Sequence, residues 1–120
     1  MSKILIVDEE PDVLAVTVAR LETSGYEVLV AKDSEEAIEL LNNGNPDLIL
    51  LDISLPKMQG DELCKKLKSD IKFKHIPIIL FTASIVLHAA MKVNKLGADD
   101  LIIKPVDPNV LLDKIKKLIG

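Results

Sequence analysis

Short aliphatic runs with no polar alternation are the feature that most limits how this chain folds. Ile4-Leu5-Ile6-Val7 and Leu48-Ile49-Leu50-Leu51 have no polar face. Runs of this kind suit strands covered on both sides, as in a parallel sheet with helices above and below. Longer amphipathic stretches separate them. Strands are predicted over 4–7, 26–31, 48–51, 76–81 and 101–103. Helices are predicted over 11–24, 34–43, 60–69, 84–96 and 107–119. Pro11 suits a first helical turn, and Gly25 and Gly97 suit positions just past a helix end. Ser34 reads as a helix cap, with Gly44 as that helix's stop.

Five strand-helix repeats predict an α/β fold, a doubly wound five-stranded parallel sheet, for which 2-1-3-4-5 is a known strand order. Right-handed crossovers leave few other topologies. The winding reverses between strands 1 and 3, which opens a crevice at their carboxyl ends. Residues just after each strand are therefore the ones to inspect.

The 120 residues fit a single domain over 1–120. Only Tyr26, Phe73 and Phe81 are aromatic, so Ile, Leu, Val and Ala must build the core. A net charge of -4 without a basic stripe argues against nucleic-acid binding. The single cysteine, Cys64, has no partner for an internal disulfide and reads as a small buried hydrophobe. It fits a reducing, cytoplasmic setting. The run at 4–7 is too short for a signal peptide, and no stretch approaches the ~20 apolar residues of a membrane span.

Four strand ends carry chemistry. Asp8, Glu9 and Glu10 follow strand 1, and Asp52 ends strand 3. Thr82 follows strand 4, and Lys104 follows strand 5. Carboxylates on adjacent strands repel unless a cation lies between them. Hard oxygen ligands that leave room for water suit Mg²⁺, with Mn²⁺ as a substitute. Lysine and threonine would donate to phosphoryl oxygens, and phosphoryl transfer needs mainly positioning and charge neutralisation. Each residue alone has an ordinary structural reading, as turn former, cap or solvated side chain. The four groups together are chemically complementary.

With these spacings the chain resembles the response-regulator receiver domain, a CheY-like, flavodoxin-like family of two-component signalling. ILIVDEEPDVL resembles its acidic motif and LILLDISLPKMQG its phosphoacceptor motif, with Pro56 and Gly60 included. IPIILFTA and GADDLIIKP resemble its hydroxyl and lysine motifs. The resemblance implies that Asp52 is phosphorylated, and that Asp8, Glu9, Asp52 and the Ser54 backbone carbonyl hold Mg²⁺. It also implies Thr82 as a switch hydroxyl, Lys104 as the residue bridging to the phosphoryl group, and a cis Lys104-Pro105 bond. The implied donor is a phosphohistidine on a sensor histidine kinase or a histidine phosphotransfer protein. Two positions depart from the family pattern. Glu9 stands where Asp is more usual, and Leu101 stands where many members carry an aromatic ring that swings on activation.

Surface expectations complete the reading. The helix over 84–96 is apolar on nearly every side and, with the fifth strand and last helix, suggests a face for a downstream partner or a homodimer. In the first helix, Val13, Val16 and Leu21 read as one face with Leu14 and Val18 beside it, and the family docks this helix on a kinase bundle. His75 and His88 lie away from the acids and read as surface residues. A degenerate receiver that works as a phosphorylation-independent interaction module is the alternative. A haloacid-dehalogenase-like phosphatase would need an acid where Ser54 stands, and a flavin carrier a Thr/Ser/Gly loop where Asp-Glu-Glu-Pro stands. Both a stand-alone receiver and part of a longer regulator or hybrid kinase fit the chain.

Overall fold

The computed structural model describes residues 2–53, 60–82, 95–104 and 107–120, without the side chains of Val13, Gly60 and Thr82. The strands are β1 (Lys3–Val7), β2 (Glu27–Ala31), β3 (Leu48–Asp52), β4 (Ile78–Thr82) and β5 (Asp100–Ile103). The helices are α1 (Pro11–Thr23), α2 (Ser34–Gly44), α3 (Gly60–Ser69) and α4 (Pro108–Ile119). Of the predicted 84–96 helix, only Lys95 and Leu96 fall among the described residues, and both are helical. The rest of it, with His88, lies outside them.

All strands pair in parallel in the order β2-β1-β3-β4-β5, as the sequence predicts. Every residue of β3 is buried, which matches its lack of a polar face. Alternate strand residues feed two separate cores. Leu5, Val7, Ile49, Leu51, Ile78 and Leu80 pack with Ala37 and Leu41 of α2 and Leu63, Cys64 and Leu67 of α3. Ile4, Ile6, Leu48, Leu50, Ile79, Phe81 and Ile102 pack with Leu21 of α1 and Leu111 and Ile115 of α4. Full burial of each Leu, Ile, Val or Phe among them contributes roughly 1.5–3 kcal/mol.

Helix ends show where local chemistry departs from expectation. The cap of α2 is Asp33, one residue before Ser34, and its carboxylate accepts from the Glu36 amide at 2.9 Å. Glu36 in turn accepts from the Lys32 amide at 3.2 Å. Asp33 wins because its side chain reaches the third helical amide while its backbone stays extended. At the other end Gly44 is the last helical residue, and Asn45 takes the left-handed turn at φ 47°. Asn tolerates that region, and Pro46 bars a further helical residue before it. After α1, Gly25 adopts φ 96° and its N–H donates to the Glu22 carbonyl.

The first helix also differs from expectation. Its inward stripe is Thr17 and Leu21, with Leu14 and Val18 partly buried against the core, an i, i+3, i+4, i+7 pattern. Val16 does not share the face of Leu21: it is 67% exposed, whereas Leu21 is fully buried.

Cys64 lies in the core on the inner face of α3, with its Sγ directed at the Leu96 carbonyl. Burial pushes its thiol up to about 11. Folded protein at pH 8 therefore holds roughly one thiolate in a thousand, and iodoacetamide should leave Cys64 unmodified until the chain unfolds. Mass spectrometry of native and denatured samples checks this, and rapid native labelling would contradict the buried placement.

Candidate functional site

The sheet register assembles the site. Val7 pairs with Leu51, so Asp8 and Asp52 stand at the same level on adjacent strands. Asp52 pairs with Phe81, Phe81 with Ile102 and Thr82 with Ile103, which places Thr82 one residue and Lys104 two residues further along the same edge. The backbone ladder continues past the strands. The Asp8 amide donates to the Ala31 carbonyl at 3.0 Å, and the Ile53 amide donates to the Phe81 carbonyl at 3.0 Å. Both carboxylates are therefore held on a rigid frame and are fully buried.

Lys104 crosses from β5 over β4 to reach them. With strands about 4.8 Å apart, only a long side chain spans that width. Its ammonium lies 5.8 Å from the centroid of the Phe81 ring, within range of a cation–π attraction. It donates to Asp52 Oδ2 at 2.6 Å, to Asp8 Oδ2 at 3.0 Å and to Glu10 Oε1 at 3.1 Å. Asp8 Oδ1 also accepts from the Glu10 amide at 3.0 Å, closing a tight turn before α1.

The electrostatics follow from burial. Loss of solvent pushes the Asp8 carboxyl above its ordinary value. The Glu10 amide and Lys104 offset part of that rise, and the nearby Asp52 charge adds to it. For Lys104, burial pulls the other way, but hydrogen bonds and charges from Asp52 and Asp8 together outweigh it and raise the ammonium's pKa. It stays charged throughout the physiological range.

Oxygen atoms of Asp8, Glu10 and Asp52 lie within 4.8 Å of one another. Three carboxylates face one ammonium, an excess of negative charge that fits a divalent cation. Hard oxygen donors at a strand end suit Mg²⁺ or Mn²⁺.

The structure thus brings together Asp8, Asp52 and Lys104. It adds Glu10, which the sequence places at the end of the first strand but to which the family resemblance assigns no role. The only signal was its place as the last residue before Pro11, where the chain turns back over the strand end. Glu9 is exposed and lines a shallow hollow with Leu14, Val18 and Lys32, outside the group of oxygens shared by Asp8, Glu10 and Asp52. Thr82 ends β4 at the expected level, and its side chain lies outside the described set. Ser54 and Pro56, and the peptide bond to Pro105, also lie outside the described residues. His75 is exposed and away from the acids. Among the described residues, no helix is long and apolar enough to cross a membrane.

Comparison with known proteins agrees with this geometry. The family described as "Response regulator receiver domain" matches residues 4–116. The alkaline phosphatase synthesis transcriptional regulatory protein PhoP of Bacillus subtilis is 38% identical over 117 residues, covering 98% of this chain and 48% of that protein. The phosphate regulon transcriptional regulatory protein PhoB of Pseudomonas aeruginosa is 39% identical over 116 residues, covering 97% of this chain and 51% of that protein. The chain therefore spans about half the length of the curated relatives it matches. Among solved structures, a CheY-like receiver domain protein from Methanospirillum hungatei superimposes with a TM-score of 0.87 at 37% identity, covering 98% of this chain and 92% of that one. The Vibrio cholerae chemotaxis protein CheY4 superimposes with a TM-score of 0.91 at 28% identity, covering 99% of each chain. A family match over nearly its full length, and a strand order that sets two acids and a lysine at one edge, place the chain in the response-regulator receiver-domain family of two-component signalling.

Proposed function

We propose that this domain accepts a phosphoryl group on Asp52 from a phosphohistidine of a sensor histidine kinase or a histidine phosphotransfer protein. The observation that carries this reading is the Lys104 ammonium, held at 2.6 Å from a fully buried Asp52 that shares its site with Asp8. Asp52 supplies the attacking carboxylate oxygen, and the phosphoryl group leaves the histidine nitrogen for that oxygen. Lys104 then offers its donors to the phosphoryl oxygens, and Thr82 offers one more. Asp8 and Asp52 would hold Mg²⁺ or Mn²⁺, with Glu9 or Glu10 as a further carboxylate and Ser54 contributing its backbone carbonyl. When bound, the ion neutralises charge on the transferring group. The domain acts as a cytoplasmic signalling module and not as a turnover enzyme. Its output passes to a partner or a second copy over the face of the 84–96 helix, β5 and α4.

Acetyl phosphate with Mg²⁺ should add one phosphoryl group, mapped by mass spectrometry to Asp52 and lost in Asp52→Asn. Beryllofluoride with Mg²⁺ should shift amide resonances around residue 52. No response to either reagent in folded protein would leave the phosphorylation-independent interaction module as the surviving reading.

The charge excess predicts a trade of stability for site chemistry. The Asp8 pKa is raised on folding, so the folded state holds that proton more tightly than the unfolded chain does. Its contribution is most favourable below the ordinary value of 3.8 and declines as pH rises from there through the raised folded value. Asp8→Asn should thus stabilise metal-free protein at neutral pH. It should also abolish the stabilisation that Mg²⁺ gives the parent chain. Urea unfolding with and without Mg²⁺, at acid and neutral pH, measures both effects.

The exposed side of α1, with Ala15, Val16 and Ala19, suits contact with a kinase helix. Val16→Glu should slow phosphotransfer from a cognate donor while leaving the unfolding midpoint unchanged. Leu14→Glu should lower that midpoint, because Leu14 packs on the core. Equal transfer rates for Val16→Glu and the parent would remove α1 from the docking site.

A further inference from the structure

The net charge of -4 hides a strong local asymmetry: five of the chain's 15 basic residues fall within positions 65–75, alongside one acid, Asp70. Helices of a strand-helix repeat run opposite to the strands, so their first turns lie at the catalytic edge and their last turns at the other. First turns carry Asp12, Glu35, Glu36, Asp61 and Glu62, whereas last turns carry Arg20, Lys66, Lys68, Lys116 and Lys117. This arrangement complements each helix dipole. It also concentrates cations at the sheet edge remote from Asp52. The segment between α3 and β4 adds Lys72 and Lys74 to that edge.

This segment is held rigidly. The Asp70 amide donates to the Leu67 carbonyl, and the Phe73 and Lys74 amides donate to the Asp70 carbonyl. The Asp70 carboxylate accepts from the Lys72 amide at 2.8 Å. Lys68 is committed internally: its ammonium donates to the Ile76 carbonyl at 2.8 Å and to Asp99 at 2.9 Å. Asp99 also accepts from the Ile78 amide at 2.8 Å. A Cβ at Gly97 would lie 3.7 Å from the Lys68 stem, so the 95–97 turn lies alongside. Lys65, Lys66, Lys72, Lys74 and Lys95 are all exposed, and among the described residues no carboxylate pairs with them. In the same segment stands Ile71, 81% exposed, the most exposed large hydrophobic side chain described.

We propose that Ile71 and the surrounding lysines form a second docking surface, remote from the phosphoacceptor edge, for a helix of a protein partner that presents an apolar stripe flanked by carboxylates. An apolar centre within a charged rim is the anatomy of a protein interface. Opposite charge on the partner steers association and fixes orientation. A phosphate backbone would engage the lysines and leave the isoleucine without a counterpart, which favours a protein over a nucleic acid. The clamp through Lys68 and Asp99 holds the surface in shape before binding, so little ordering cost is incurred on contact. This inference does not depend on phosphorylation of Asp52.

The test is a titration of ¹⁵N-labelled chain with a synthetic helical peptide that carries a leucine stripe on a Glu-rich surface. Amide shifts should appear at 65–75 and 95–97, and affinity should fall with added salt. Ile71→Ser, and separately Lys66→Glu with Lys72→Glu, should each weaken binding by at least about tenfold, with the remaining spectrum unchanged. A control peptide with its leucines replaced by serine should bind about tenfold more weakly than the parent peptide. Equal affinity for that control, shifts mapping to α1 or the acidic edge, or no shifts at all would overturn the proposal. Tighter binding of a DNA duplex at the same residues would reassign the surface to nucleic acid and overturn it equally.

Discussion

Two carboxylates sit fully buried at the end of an aliphatic sheet, and one ammonium makes that tolerable. An ionised group out of water is costly unless it is paired and hydrogen-bonded. Asp8 and Asp52 meet that condition through Lys104, which is itself almost enclosed, its side chain 9% exposed. Without the lysine, the edge of β1 and β3 would hold adjacent anions with no counter-charge among the described protein groups. With it, the edge still carries more negative than positive charge. The site is thus stable enough to fold and remains under-neutralised, a state that favours the entry of a cation.

The parallel sheet turns sequence order into this arrangement. Each strand contributes its carboxyl end to one edge, and the register puts Asp8 level with Asp52. The central strands need residues that can be buried on both faces, and β1 and β3 have them. That requirement separates the interior of each strand from its last residue. Apolar side chains fill the strand, and the first polar side chain appears where the sheet stops. The same directionality places helix starts beside the site and helix ends opposite it, so one edge becomes acidic and the other basic.

Much of this was legible in the sequence because it rests on strong, local patterns. Unbroken aliphatic runs marked the inner strands, Gly25 marked a helix end, and the spacing of Asp8, Asp52 and Lys104 marked the site edge. What was missed depends on geometry that a linear pattern does not carry. Asp33 and Ser34 are both good caps, and only the backbone angle selects Asp33. Gly44 and Asn45 both tolerate a left-handed turn, and Pro46 decides between them. Val16 and Leu21 look alike in composition, yet lie on opposite sides of α1. Glu10 joins Lys104 because the chain turns at Pro11, whereas Glu9, one residue earlier, points to solvent. The lysine-rich segment was visible in the sequence, but net charge averaged it away.

Lys104 lies 96 residues from Asp8 and 52 from Asp52 along the chain. No local segment can build that contact, since it waits on closure of a long loop. On a ribosome the acids emerge long before their counter-ion, and β5 must dock on the β4 edge before the lysine can reach across. A nascent or truncated chain would carry its two acids without the group that tames them. Docking of β5 thereby becomes a checkpoint in time, tying completion of the charged site to closure of the sheet.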